Sequence, residues 1–113
     1  DILLEDTTEN RINLRAAFKQ IGIGDFPQIE TMQFVAGYTD FTISYDLRLD
    51  VMTSIKGLEN ANFDELLQNA KIVYLNEVPV YFIDYDSLIL AKKATNRLKD
   101  QLDIEELNKL NNK

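Results

Sequence analysis

Apolar and polar residues alternate along residues 31–53, and this pattern constrains the fold more than any other feature of the chain. The apolar positions fall into three short runs: Met32, Phe34 and Ala36; then Phe41, Ile43 and Tyr45; then Leu47, Leu49 and Val51. A period of two is typical of a β-strand, because successive side chains of a strand point to opposite faces of its sheet. The breaks at Gly37-Tyr38 and around Asp46 are short, so we expect three strands that pair antiparallel.

Helical patterns lie on both sides of this region. Before it, a short apolar run at residues 2–4 predicts a strand, and a helix is expected between the capping residues 6–9 and Gly22. The apolar stripe of that helix is Leu14, Ala17, Phe18 and Ile21.

After the alternating region, the cap at residues 62–65 predicts a short helix, and the segments 72–75 and 78–83 flank Asn76-Glu77 as a hairpin. Two last helices are predicted, from Asp84 to about Thr95 and from about Leu98 to Leu110. The predicted order is β-α-βββ-α-ββ-α-α, an α/β (α+β) fold with a mixed sheet flanked by helices in a single domain, 1–113.

The composition narrows the chemistry, since the chain contains neither cysteine nor histidine. This excludes a disulfide, a thiolate zinc site and a serine–histidine catalytic site. The lack of cysteine also suits a cytoplasmic protein. A bound metal would be a hard ion held by oxygen atoms, such as Mg²⁺ or Mn²⁺.

The net charge of −7 argues against nonspecific binding of nucleic acid. No apolar run approaches the roughly 20 residues of a membrane span, so we expect a soluble protein with no membrane partner.

Asp50 is the first candidate for a functional residue, because aspartate is disfavoured in the middle of a strand. Alternation places Arg48, Asp50 and Met52 on one face of their strand and Leu47, Leu49 and Val51 on the other. Two interpretations stay open at this point. Asp50 either belongs to a site, or it is a solvated residue on an exposed strand face.

A cluster of cations close to the C-terminus is the second candidate, and it comprises Lys92, Lys93, Arg97 and Lys99. Lys92 follows Leu88 by four residues, so it continues an apolar stripe and would point towards a cleft. Three alternatives stay open: a ligand contact, a solvated helix end favoured by the helix dipole, and an internal ion-pair network with Asp100 and Asp103.

Several segments also carry a family resemblance. They are residues 48–53 (Arg-Leu-Asp-Val-Met-Thr), their continuation at 54–58 and 63–65, the Val-Pro-Val of 78–80, residues 86–89 with Lys92, and residues 97–105. In this order and spacing they resemble the C-terminal two-thirds of small bacterial nucleotidyltransferase-fold proteins of the polymerase-β-like superfamily, similar to toxin-type nucleotidyltransferases.

The resemblance implies a set of site residues. Asp1, followed by Ile-Leu-Leu, is similar to the second aspartate of the family's Asp-x-Asp pair, so we expect the first aspartate and a Gly-Ser turn upstream of residue 1. By the same resemblance Asp1 and Asp50 are catalytic and bind Mg²⁺ or Mn²⁺, with Asp50 also assisting deprotonation of the acceptor. Lys92 is the first candidate for a triphosphate contact and Arg97 the second.

The implied function is metal-dependent transfer of a nucleoside monophosphate from a nucleoside triphosphate to a hydroxyl of RNA, protein or a small molecule. Two divalent ions held by carboxylates can neutralise the charge of such a transfer. Because one carboxylate of the family's set is expected upstream, we expect no transfer by these 113 residues alone. The alternative function is a catalytically inactive nucleotidyltransferase fold that binds nucleotides or proteins, including an antitoxin partner.

Overall fold

A computed structural model describes residues 1–111 and has an α+β architecture. The chain divides into two compact units, Asp1–Ser54 and Ile55–Lys113. Within the described residues there are four α-helices, a mixed three-stranded sheet in the first unit and a two-stranded hairpin in the second. None of the helices among residues 1–111 has the length and apolar character needed to cross a membrane.

The first unit is built on a sheet with the strand order β1-β3-β2. Its strands are β1 (Ile2–Leu3), β2 (Asp40–Ser44) and β3 (Leu47–Met52). The central strand β3 runs parallel to β1 and antiparallel to β2. The antiparallel pairing of β2 with β3 confirms the prediction for the second and third alternating runs.

Helix α1 (Thr8–Gln20) covers one face of this sheet. It begins where the Thr7 hydroxyl accepts a hydrogen bond of 3.1 Å from the amide of Asn10, which satisfies one of the unpaired donors of a helix start. Two predicted stripe residues, Leu14 and Phe18, are buried, whereas Ile21 lies beyond the helix and is exposed. The core of the unit consists of Leu4, Leu14, Phe18, Ile29, Phe34 and Val51.

The predicted strand around Met32, Phe34 and Ala36 is wrong, because these residues form an irregular segment after a 3₁₀ turn at Pro27–Glu30. Side chains take the place of a strand ladder there. Nη1 of Arg11 donates to the carbonyl oxygens of Ile29 and Met32 at 2.9 and 2.6 Å. Phe34 is still buried in the core and Met32 is half-buried, whereas Ala36 is exposed, so the apolar spacing predicted burial for two of these three residues but not the backbone conformation.

The second unit follows the predicted element order closely. It contains α2 (Phe63–Asn69), β4 (Lys71–Leu75), β5 (Val78–Phe82), α3 (Tyr85–Thr95) and α4 (Leu98–Asn111). The predicted caps are confirmed, since Asn62 Oδ1 accepts from the amide of Glu65 at 2.8 Å and Asp84 Oδ2 accepts from the amide of Ser87 at 3.1 Å.

The prediction of one mixed sheet needs a correction at this hairpin. Among the described residues, β4 and β5 pair only with each other and form a separate sheet. The turn residues Asn76 and Glu77 have φ angles of 50° and 69°, and positive φ at both central positions is what a tight two-residue turn requires. The hairpin therefore closes locally without glycine.

Candidate functional site

Asp50 lies on the face of the three-stranded sheet opposite the hydrophobic core. The next residue, Val51, is completely buried, and adjacent side chains of a strand point to opposite faces. In β1, Ile2 pairs with Val51 and Leu3 with Met52, so the register places Asp1 beside Asp50. On the other side of β3, Asp40 pairs directly with Asp50. Three aspartates therefore form a row across one face of the sheet.

The carboxylate of Asp50 is half-buried and partly hydrogen-bonded. Its Oδ2 accepts a hydrogen bond of 2.8 Å from the amide of Gly37, whereas its Oδ1 is buried and has no partner among the described residues. A buried carboxylate oxygen without a donor is costly, and such an atom in a native structure calls for an ion, a water molecule or a ligand. Asp50 is thus more than a solvated strand residue, in contrast to its exposed neighbour Arg48.

The turn that contains Gly37 is stabilised by hydrogen bonds between its own residues. The amides of Tyr38 and Thr39 both donate to the carbonyl oxygen of Val35, at 2.9 and 3.1 Å. The buried Thr39 hydroxyl accepts from the amide of Val35 at 2.6 Å. Gly37 has a φ of 80°, which favours glycine. The turn therefore presents the Gly37 N–H to Asp50 in a fixed direction.

The donor atoms of this face fit a hard divalent cation by type. Asp1 and Asp50 offer carboxylate oxygens at neighbouring positions, and Mg²⁺ in proteins is commonly held by one or two carboxylates together with water and substrate phosphates. Asp40 is less available, because its Oδ2 accepts from Nη1 of Arg48 at 3.2 Å. Within residues 1–111 no group of three or more acidic side chains is close enough together to hold a metal without further ligands.

Lys92 lies on α3 in the second unit, where it pairs with α4. Its Nζ donates to Oδ2 of Asp103 at 2.8 Å, and the two side chains are 23% and 36% exposed. This contact is the one expected from the ion-pair alternative for the basic cluster. It leaves two of the three N–H donors of the ammonium group outside this hydrogen bond.

Arg97 is paired within the same unit. Its Nε and Nη2 donate to the carboxylate of Asp100 at 2.8 and 3.2 Å. Asp100 is only 2% exposed and also accepts from the Thr95 hydroxyl at 2.7 Å. The hydrogen bonds from Arg97, and after them the one from Thr95, hold the pKa of Asp100 far below its usual range. The side chain of Arg97 is 69% exposed.

The structure thus brings Asp1 and Asp50 together in the first unit and pairs Lys92 and Arg97 with aspartates in the second. Sequence reasoning missed Asp40 and the hydrogen bond from Gly37. The period of two alone does not show that Asp40 lies opposite Asp50. That pairing also requires the register of β2 against β3, and a bulge between Thr42 and Ser44 shifts this register.

Comparison of the chain with protein-family models, with curated proteins and with solved structures found no match. A functional assignment therefore depends on the geometry of Asp1, Asp50 and the turn that holds Gly37.

Proposed function

We propose that Asp1 and Asp50 bind a divalent cation, Mg²⁺ or Mn²⁺, and that the intact protein transfers a nucleoside monophosphate from a nucleoside triphosphate to an acceptor hydroxyl. One observation carries the proposal. Asp50 has a buried oxygen without a hydrogen-bond donor among residues 1–111, on a strand that places Asp1 beside it. The nucleotidyltransferase-like fold and the family resemblance are part of the same proposal.

Each carboxylate has a separate task in this proposal. Asp50 is held by the Gly37 amide through Oδ2, which leaves Oδ1 as the oxygen that would hold the cation or accept the proton of the acceptor hydroxyl. Asp1 supplies the second negative charge from the neighbouring strand. The bound cation, when present, neutralises charge on the transferring phosphoryl group.

Lys92 and Arg97 remain the proposed contacts to the triphosphate. Both are engaged with aspartates, but each retains N–H groups beyond those used in its pair, and phosphate oxygens are strong acceptors for such groups. Replacing Lys92 with methionine keeps most of the apolar stem while removing the charge. In the intact protein, we expect Lys92→Met to weaken nucleotide binding if this contact is made.

The first experiment measures Mn²⁺ binding by electron paramagnetic resonance. Asp50→Asn keeps the shape and the acceptor for Gly37 but removes the negative charge. We expect at least about tenfold weaker binding, because even the loss of an outer-shell partner costs about 10–100-fold in metal affinity. Asp46→Asn is the matched control, because Asp46 is an exposed aspartate in the turn between β2 and β3. Equal Mn²⁺ affinity in the two variants would contradict the cation site.

The second experiment measures incorporation of labelled nucleotide by the intact protein. We expect Asp50→Asn to abolish transfer while Asp46→Asn retains it. Transfer that survives Asp50→Asn would refute the catalytic role, even if Mn²⁺ binding depends on Asp50.

A specific observation also favours the alternative function. Lys92 and Arg97 already have carboxylate partners, and the described residues supply few acidic ligands for a metal. An inactive fold that binds nucleotides or a protein partner, such as an antitoxin, would need no complete catalytic set. Binding of nucleotide without any transfer by the intact protein would favour this alternative.

A further inference from the structure

Tyr38 is an aromatic residue held in a tight turn with most of its surface in solvent. It is 85% exposed, and it directly follows Gly37, whose amide is bound to Asp50. A single exposed tyrosine is ordinary on a protein surface. What distinguishes Tyr38 is the combination of this exposure, a firmly hydrogen-bonded backbone and a position beside the candidate cation site.

The backbone contacts fix Tyr38 close to the carboxylate. The Gly37 nitrogen lies 2.8 Å from Oδ2 of Asp50. Since Cα atoms joined by a trans peptide are about 3.8 Å apart, bond geometry keeps the Cα atom of Tyr38 within about 8 Å of that oxygen. The tyrosine is therefore close enough for its ring to reach a ligand whose phosphates meet a cation at Asp1 and Asp50.

The charges of this face select the kind of ligand. Asp1 and Asp50 repel a bare anion, while Asp40 is paired with Arg48, so a phosphorylated ligand must arrive with its cation. The part of the ligand beyond its phosphates then meets an aromatic ring that offers a flat apolar face. A nucleobase stacks on such a ring, and stacking tolerates any base because every base has a π-face.

We propose that Tyr38 binds the nucleobase of a nucleoside triphosphate whose cation lies at Asp1 and Asp50. The inference rests on the proposed function and adds a base-binding residue to it. It assigns affinity for the base to the turn at residues 35–39, with little selectivity among the bases. The hydrogen bonds of the turn fix the backbone that carries the ring, so binding orders the side chain and not the loop.

The test compares Mg²⁺·ATP with Mg²⁺·tripolyphosphate, which has the phosphates but no base. For Tyr38→Ala we expect Mg²⁺·ATP affinity to fall about tenfold, the lower part of the range for one base stacked on an aromatic ring. Mg²⁺·tripolyphosphate affinity should not change, and Tyr38→Phe should bind Mg²⁺·ATP like the original chain because it keeps the ring.

Tyr45→Ala is the matched control, because Tyr45 is 97% exposed in the turn between β2 and β3, at the end of β3 away from Asp50. It should leave both affinities unchanged. As a direct readout, the ring-proton resonances of Tyr38 should move upfield with Mg²⁺·ATP and stay in place with Mg²⁺·tripolyphosphate, because only the base carries a ring current.

Failure of this inference and failure of the proposed function give different results. Suppose that Mn²⁺ binding depends on Asp50. Base binding by Tyr38 is then overturned, and the cation site stands, if the chain does not prefer Mg²⁺·ATP to Mg²⁺·tripolyphosphate. The same conclusion follows if Tyr38→Ala and Tyr45→Ala have the same affinities. If Mn²⁺ binding is absent or indifferent to Asp50→Asn, both proposals are overturned.

Discussion

Arg11 gives the sharpest test of how the first unit is held together. Its guanidinium group replaces the hydrogen bonds of the strand that the sequence predicts at residues 32–36. Nη1 donates to the carbonyl oxygens of Ile29 and Met32, and the group lies 4.7 Å from the ring centroid of Phe34. The side chain is only 13% exposed. Arg11→Ala therefore leaves two partly buried carbonyl oxygens without their donor.

The expected cost follows from these contacts. A hydrogen bond to a charged group contributes about 1.5–3 kcal/mol, and the contact with Phe34 contributes about 0.5–1 kcal/mol. The ion pair with Asp6 adds about 1 kcal/mol at most, because the Asp6 side chain is 48% exposed. Water can reach part of the vacated space and recover some of this loss, so we expect Arg11→Ala to lower the free energy of unfolding by about 3 kcal/mol.

Urea denaturation followed by circular dichroism measures this change. Hydrogen exchange at the amide of Val51, which donates to the carbonyl oxygen of Thr39, assigns it to the first unit. Arg48→Ala is the matched control, because Arg48 is 75% exposed and makes a surface ion pair, so its loss should cost no more than about 0.5 kcal/mol. Equal costs for the two arginine variants would refute the role assigned to Arg11.

Three further predictions concern the second unit. Hydrogen-bond donors around Asp100 lower its pKa, so its charge stabilises the fold at neutral pH, and this contribution is lost as the pH falls below about 4. Asp100→Asn should therefore make the free energy of unfolding, measured by urea denaturation, depend less on pH in the acid range. Glu77→Gly should raise the free energy of unfolding by about 0.5 kcal/mol, because glycine adopts the positive φ of this position without strain. The control Glu105→Gly, in α4, should lower the free energy of unfolding by about 1 kcal/mol. A lower free energy of unfolding in both variants would contradict the turn geometry. Lys92→Ala and Asp103→Ala should each cost about 1 kcal/mol because their pair is partly exposed, and a double-mutant cycle with no coupling would show that the pair is not formed in solution.

The helices and the hairpin of the second unit could be predicted from the sequence because they are locally encoded, although the hairpin forms a sheet of its own and not part of one mixed sheet. Asn62 and Asp84 cap helices through hydrogen bonds to residues three positions ahead, and the hairpin turn lies between two adjacent apolar runs. Of the expected ion pairs of the basic cluster, Lys92 on α3 pairs with Asp103 on α4, and Arg97, just before α4, pairs with Asp100 in the first turn of that helix. Such contacts involve residues close together in the chain, so sequence patterns report them directly.

The first unit shows what sequence patterns cannot decide. Alternation placed Leu49 and Val51 on the core face and identified Asp50 as unusual, and β2 and β3 formed as expected. The same alternation at residues 32–36 predicted a strand that the structure does not form, because Arg11, about 20 residues away in the chain, binds the carbonyl oxygen of Met32, and the Thr39 hydroxyl bonds the backbone of Val35. A period of two indicates which side chains share a face of a strand, but it does not show which backbone hydrogen-bond partners are present.

The sequence by itself determined the residue types and therefore the chemistry that is possible: oxygen ligands for a hard cation, with no histidine or cysteine. The register of β1 and β2 against β3 decided that Asp1, Asp50 and Asp40 form one row. The turn at residues 35–39 supplies the donor to one oxygen of Asp50, while the other oxygen is buried and has no partner in the part of the chain that the structure describes. These are contacts between residues far apart in the chain, and only the packing of the folded unit fixes them.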